Sequence, residues 1–347
     1  MYKYKDLDID GLQGYKELFL SNGSYKSTKN LEWMHFSNPP NETQCKLVYS
    51  GDGDLASIYA VMPVFVKVGA NTELAAQSLD TITHMEHRGK GLFIETAKKV
   101  YGDCTSSGYS FIYGFPNGNS VYGFKDKLDW IILDPIPFIF KPLRSGYFIS
   151  KFLGNKIGSI LDFSISLNFL NRKFHAGDIS KVDSFNLDYT ALWDVFSNSI
   201  NVGVVRDASY LQWRYLDKPN ENYKIFKLEE AGILKGYIVY CIKEKHGGKV
   251  GYIMDLIYLD GTHLVGAALL QKALGEFKAS KVDVVLSWCF EFSLNYGAFK
   301  KLGFLNLPEI LKPIELHFGC VVLGGGESKL LMDRKNWFIS YADSDTV

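Results

Sequence analysis

Apolar residues recur along the 347-residue chain with two periods, and the periods change in the same order twice. Residues 16–36 and 189–216 carry the three-and-four spacing of amphipathic helices. β-Branched and aromatic runs follow, "QCKLVYS" and "SIYAVMPVFVKV" in the first half, "NYKIFKL" and "GYIVYCI" in the second, and these predict antiparallel strands. A central strand comes next ("AAQSLDTIT"; "GYIMDLIYL"), then a helix over 92–106 and 264–279, and then another strand ("YSFIYGF"; "VDVVLSW"). Each series closes on a short helix that ends in a Lys-Leu-x-aromatic signal. The expected fold class is therefore α/β of the mixed α+β kind, with two tandem units, each a mixed, mostly antiparallel sheet flanked by helices.

Residue identities support a duplication. "NLEWMHFSNPPNE" and "YLQWRYLDKPNEN" align Leu31 with Leu211, Trp33 with Trp213 and Pro39 with Pro219, at an offset of 180. Asp80 and Asp255 recur in the central strands at an offset of 175, and "FKDKLDW" and "AFKKLGF" at 174. The division expected is 1–142, 143–175 as a linker or crossover, and 176–347. The linker is rich in Pro, Gly and basic residues and reads as a strand followed by a surface crossover.

Lysine plus arginine (38) equals aspartate plus glutamate (38), so no global charge favours nucleic acid or an anionic membrane, and any anion must be met locally. The five cysteines are odd in number, scattered and never spaced as CxxC, which points to reduced thiols in a cytoplasmic protein without a disulfide framework or zinc site. No apolar run is long enough to span a bilayer.

The strongest local signal is "HMEHRGKGLFIETAKKVY", residues 84–101, where a strand gives way to a helix. A helix amino terminus presents unpaired N–H groups and partial positive charge. Gly89 and Gly91 let the backbone approach a bulky anion, and Arg88 and Lys90 add charge. The junction suits a pyrophosphate; it is neither GxxxxGK[ST] nor GxGxxG after a first strand. The loop resembles the Arg-x-x-Gly-x-Gly/Ala signature of the GNAT superfamily of acyl-CoA-dependent N-acyltransferases, and the resemblance runs from Asp80 to Trp130. Phe93 departs from it at a small-residue position, and Asp129 stands where the family has Gly. The second unit's counterpart, "LDGTHLVGAALL", lacks the arginine and the glycine pair.

The resemblance implies acyl-CoA as donor, held by Ile82, Thr83, Arg88, Gly89, Lys90, Gly91, Leu92, Phe93 and Asn119, with no metal. Direct attack of an amine on the thioester needs a proton acceptor, an oxyanion donor and a route for a proton to the thiolate. Asp80 is a candidate base or a structural strand-end aspartate, and His84 is a second base or a surface histidine. Asn119 contacts the pantetheine or forms a turn. Tyr122 is the candidate acid, unless a thiolate with a pKa of about 8 to 9 leaves unaided. In the second unit, Arg206, Arg214 and Tyr215 are candidate acceptor-binding residues, because Arg214 stands where the first unit has Met34. The whole chain resembles tandem GNAT enzymes that acylate nucleotide-linked amino sugars of the dTDP-3-amino-3,6-dideoxyhexose type for surface polysaccharides. Another small amine, a peptidoglycan precursor, or a non-catalytic acyl-CoA sensor or scaffold are the alternatives.

Overall fold

The structure, a computed structural model, describes the chain except residues 154–161, 166–173, 175–176, 260, 262, 309–311, 313, 325–327 and 347. Most of the crossover expected at 143–175 lies outside the described residues. In the first half the strands are β1 (Lys3–Asp6), β2 (Gln44–Tyr49), β3 (Leu55–Val68), β4 (Asn71–Thr83), β5 (Phe111–Gly114), β6 (Ile131–Ile132) and β7 (Phe138–Pro142). In the second they are β8 (Asp178–Lys181), β9 (Val202–Val204), β10 (Lys224–Glu230), β11 (Ile233–Lys245), β12 (Gly248–Tyr258), β13 (Val284–Trp288), β14 (Leu305–Asn306) and β15 (Gly319–Val322). Helices α1 (Gly11–Ser21), α2 (Thr28–Phe36), α3 (Leu92–Ser106) and α4 (Val121–Lys127) belong to the first unit, and Leu264–Ala279 matches α3 in the second. The fold class is the one expected: two mixed sheets flanked by helices.

The boundary drawn at residue 142 does not separate the sheets. The first runs β1-β2-β3-β4-β5-β15-β6, with β9 against β3; the second runs β14-β7-β13-β12-β11-β10-β8. Strand β15 from the second half fills the place beside β5, and β7 from the first half fills the equivalent place beside β13. The first unit thus receives β15 and β9 from the second half, and the second unit receives β7 from the first. The period-2 pattern of a strand specifies which face it buries but not which sheet it joins, which is why the exchange escapes the sequence reading.

The repeated tryptophans meet where the units meet. Trp33 and Trp213 stack at 4.5 Å between centroids and 11° between planes. Each indole N–H donates to the other residue's carbonyl, at 2.8 and 3.1 Å. Around this pair the largest apolar cluster draws on both halves, including Phe111, Tyr113, Trp288 and Trp337. The repeated aspartates are used alike in the two units. Asp80 holds Lys26 and accepts from the Tyr15 hydroxyl, while Asp255 holds Arg206 and accepts from the Tyr237 hydroxyl.

Asp129 adopts φ +57, and its counterpart Gly303 has φ +69. The left-handed backbone explains the glycine usual at this position, and Asp is among the few other residues that visit that region. All five cysteines are free and buried, and among the described residues no helix is long and apolar enough to cross a membrane.

Arg206→Met leaves Asp255 and Asp343 buried without their cation, since Arg206 pairs with both while fully buried. The variant is expected to lose roughly 3–5 kcal/mol of unfolding free energy in urea. Because each half of the chain supplies a strand to the other half's sheet, fluorescence and far-UV circular dichroism should report one coincident transition for the whole protein; two separated transitions would contradict the exchange.

Candidate active site

The loop between β4 and α3 takes its shape from two glycines. Gly89 has φ +75 and Gly91, the N-cap of α3, has φ +78. Nothing lies within 4 Å of a Cβ built on Gly89, and only the Glu95 carboxylate approaches one on Gly91, at 3.9 Å. Conformation, not crowding, calls for glycine here, and the bare backbone leaves space in front of the helix. Lys90 is exposed there. Arg88 donates to the Asn22 side chain at 2.8 Å and to the Thr83 carbonyl at 3.3 Å. The Glu95 carboxylate, in the first turn, accepts from the Tyr4 hydroxyl at 2.9 Å. Leu92 anchors the helix start in the core.

Phe93, the departure from the small-residue signature, is accommodated inside the unit. Its ring packs on Tyr59 and Phe124. A Cβ on Gly123 would come within 2.5 Å of that ring, so the glycine in "VYGF" clears the room that Phe93 takes up.

Beside this loop β4 and β5 separate. Their parallel pairing covers Ala76–Ser78 and stops. Beyond it a cleft of about 120 Å³ opens, lined by Ser78, Leu79 and Thr81 on one strand, Phe115, Pro116 and Asn117 on the other, and Ser120, Phe124 and Trp130 below. The floor is braced by hydrogen bonds linking Ser78, Tyr59, Tyr101 and Trp130 at 2.8–3.0 Å. The buried Thr81 hydroxyl has no protein partner.

On another side of β4 lies a second cleft, of about 180 Å³, at the junction of the units. Its walls are Tyr25, Lys26, Asn30, Trp33, Met34 and Met62 from the first half and Arg214, Lys218, Glu221, Ser344 and Asp345 from the second. Burial works against the Lys26 ammonium, but Asp80 and Asp345 lift its pKa above the usual lysine value. Burial lowers the Lys218 amine to about 7, and Arg214 adds to the effect.

Several expected roles are corrected by these positions. Asp80 is buried, with both carboxylate oxygens on Lys26 at 2.6–2.7 Å and the Tyr15 hydroxyl at 2.7 Å, so it is not a free base. His84 caps a 3-10 turn over Met85–His87, its ring accepting from the Glu86 N–H at 3.4 Å. Tyr122 is 64% exposed, outside the lining of the strand cleft. Asn119 is exposed as well; Asn117, which accepts from the Asn119 and Ser120 N–H groups, lines the cleft in its place. Ile82 and Thr83 face β3, the Ile82 carbonyl accepting from Ser57.

The second-half candidates are internal. Arg206 is fully buried on Asp255 and Asp343. Arg214 is 2% exposed and directs its donors at the Ala342 and Ser344 carbonyls and the Tyr223 hydroxyl. Tyr215 is buried. The asymmetry between Arg214 and Met34 therefore serves to fasten residues 342–344. The residues missed, Lys26 and Lys218, carried a weaker signal: Lys218 aligns with Asn38 in the repeat, and Asn38 is a buried helix-end cap. In the second unit His263 takes the place of Gly91 as N-cap, at φ +62. Its ring bonds Tyr258 at 2.8 Å and covers Gly297. Among the described residues no group of three or more His, Cys, Asp or Glu could hold a metal.

Residues 3–132 match the family model described as an acetyltransferase (GNAT) domain. No curated protein matches the chain. Among solved structures it is similar to a GCN5-related N-acetyltransferase from Anabaena variabilis, at 12% identity and a TM-score of 0.63, covering 93% of this chain and 73% of that one. It is also similar to Saccharomyces cerevisiae N-myristoyltransferase, solved with bound myristoyl-CoA, at 11% identity and a TM-score of 0.62, covering 92% and 82%. At such identities the likeness concerns the fold, and it extends over both units.

Near Asp80, His35 is fully buried and neither ring nitrogen has a protein partner. Burial lowers its pKa from 6.5 to about 4. The unfolded chain therefore binds a proton first as the pH falls, so this contribution to stability is complete above 6.5 and is lost on the way down to about 4, roughly 3 kcal/mol in all. Urea titrations from pH 7 to 4 should show this slope, and His35→Leu should flatten it.

Proposed function

We propose that the protein is an acyl-CoA-dependent N-acyltransferase whose donor lies between β4 and β5, with the diphosphate at the start of α3. One observation carries the reading: the strands part after Ser78 next to a loop whose two left-handed glycines leave α3 open at its amino end. Helix N–H groups and Lys90 meet the phosphates. Main-chain groups of β4 beyond Ser78, released from pairing with β5, meet the pantetheine arm and the thioester oxygen as it gains charge. The GNAT domain match over residues 3–132 and the myristoyl-CoA complex of the yeast neighbour support the same donor.

The acceptor amine enters from the junction cleft. Its nitrogen attacks the thioester carbonyl, the C–N bond forms, the C–S bond breaks, and the departing thiolate takes up a proton. The acceptor we carry forward is the amino group of a nucleotide-linked amino sugar. With Arg206 and Arg214 committed internally, its diphosphate is left to Lys26 and its base to the exposed face of Tyr25, which line the same cleft.

Titration calorimetry is expected to show stoichiometric acetyl-CoA binding to the wild-type protein. Gly91→Val should weaken it by about tenfold or more, because a β-branched residue resists the left-handed backbone that keeps the helix start open; circular dichroism checks that the variant is folded. Unchanged affinity in a folded variant refutes the placement of the diphosphate. Mass spectrometry of mixtures with acetyl-CoA and a panel of nucleotide-linked amino sugars, amino acids and short peptides identifies the acceptor, and acylation of the amino acids or peptides alone overturns the sugar assignment.

A further inference from the structure

Asp80 is held by Lys26 and Tyr15, and His84 lies outside the lining of both clefts, so neither of the expected bases faces an acceptor in the junction cleft. We propose that the Lys218 side chain, as the free amine, takes the proton that the acceptor ammonium must lose in the junction cleft. The proposal rests on the N-acyltransferase reading and deepens it.

The geometry is that of an amine kept from pairing. Lys218 Nζ lies over the Trp33 ring at 5.4 Å and the Tyr223 ring at 5.8 Å, and its hydrogen bond is to the Tyr223 hydroxyl at 3.2 Å. No carboxylate is within ion-pair distance of it among the described residues, whereas Lys26 in the same cleft sits on Asp80. The charged groups that face it come from each neighbouring segment. Arg214, one helical turn back, disfavours its protonation, and so does Lys243 from β11. Glu221 favours it but is already paired with Lys243. Asp345, from the last residues of the chain, favours it too, although desolvation raises the pKa of its own carboxyl. The balance, dominated by burial, leaves the amine titrating at about 7, so a large fraction carries a free lone pair near neutrality, where a general base is most effective.

The placement suits the step. The cleft reaches β4 through Lys26 and Asp80, and the residue after Asp80, Thr81, lines the strand cleft assigned to the thioester arm. An acceptor ammonium transfers one proton to Lys218, giving a neutral amine and a lysyl ammonium. The amine forms the C–N bond as the C–S bond breaks, its second proton passes to the thiolate, and Lys218 returns its proton to solvent. The duplication shows the difference at this position. Its counterpart Asn38 is 3% exposed and uses its amide on main-chain groups of residues 34, 35 and 42, whereas the Lys218 amine bonds the Tyr223 hydroxyl and opens to the cleft.

Two measurements test the assignment. The first needs no acceptor: the intact protein is treated with trace acetic anhydride from pH 5 to 11, and the acetylated peptides are quantified by mass spectrometry. Lys218 should reach half-maximal reactivity near pH 7 while exposed lysines do so about three units higher; a Lys218 midpoint above 9 overturns the proposal. The second follows thiol release from acetyl-CoA with the best acceptor of the panel. Wild-type kcat should rise with pH to a plateau with its midpoint near 7. Lys218→Met and Lys218→Arg should lose roughly a hundredfold or more in kcat at pH 7, with the KM for acetyl-CoA unchanged and no plateau. A folded Lys218→Met protein within threefold of wild type, with the same midpoint, refutes the base and leaves the acyltransferase reading standing. A wild-type protein that does not bind acetyl-CoA removes that reading and the base together.

Discussion

Two stacked indoles and two exchanged strands fix how the halves of this protein stand against each other. Trp33 and Trp213 pair face to face and satisfy one another's N–H and carbonyl groups, so neither is satisfied without the other. Strands β7 and β15 cross between the sheets in opposite directions. Everything of chemical interest is arranged about that joint: the cleft between β4 and β5 has β15 as the next strand of its sheet, and the acceptor cleft draws its walls from both units.

Within this frame the two units share a plan and divide the work. Both use an aspartate on the central strand, a tyrosine and a cation, half-buried in the first unit and fully buried in the second, to brace the strand. Only the first keeps a helix start that backbone glycine leaves open; in the second the His263 side chain stands at that place. The second unit contributes side chains to the joint instead, with Arg214 fastening residues 342–344 and Lys218 left with an aromatic and hydroxyl environment.

Much of the fold was legible in the sequence because it rests on local rules. The alternation of strands and helices, the two mixed sheets and the turn from β4 into α3 all follow from periodicity and glycine placement. Asp129 and Phe93 looked like departures; one adopts the backbone the usual glycine adopts, and the other is matched by Gly123 a strand and a helix away. What sequence could not supply was pairing at long range. A run of β-branched residues does not say which sheet it will join, and a charged residue does not say whether it will meet a substrate or a counter-ion. Arg206 and Arg214 had the right chemistry for a phosphate but are satisfied by Asp255, Asp343 and carbonyl groups near the end of the chain, a fact that exists only in three dimensions.

The reciprocal exchange also sets the order in which the molecule can be completed during synthesis. When residues 1–142 have left the ribosome, the nascent sheet ends at β5 with a bare hydrogen-bonding edge, and β7 has no sheet to enter. That edge waits about 200 residues for β15, so a chain stalled or cut in the second half presents an open edge of the kind that recruits other strands. Co-translational handling of the emerging first half, and not only its final stability, is therefore part of what this architecture demands of the cell that makes it.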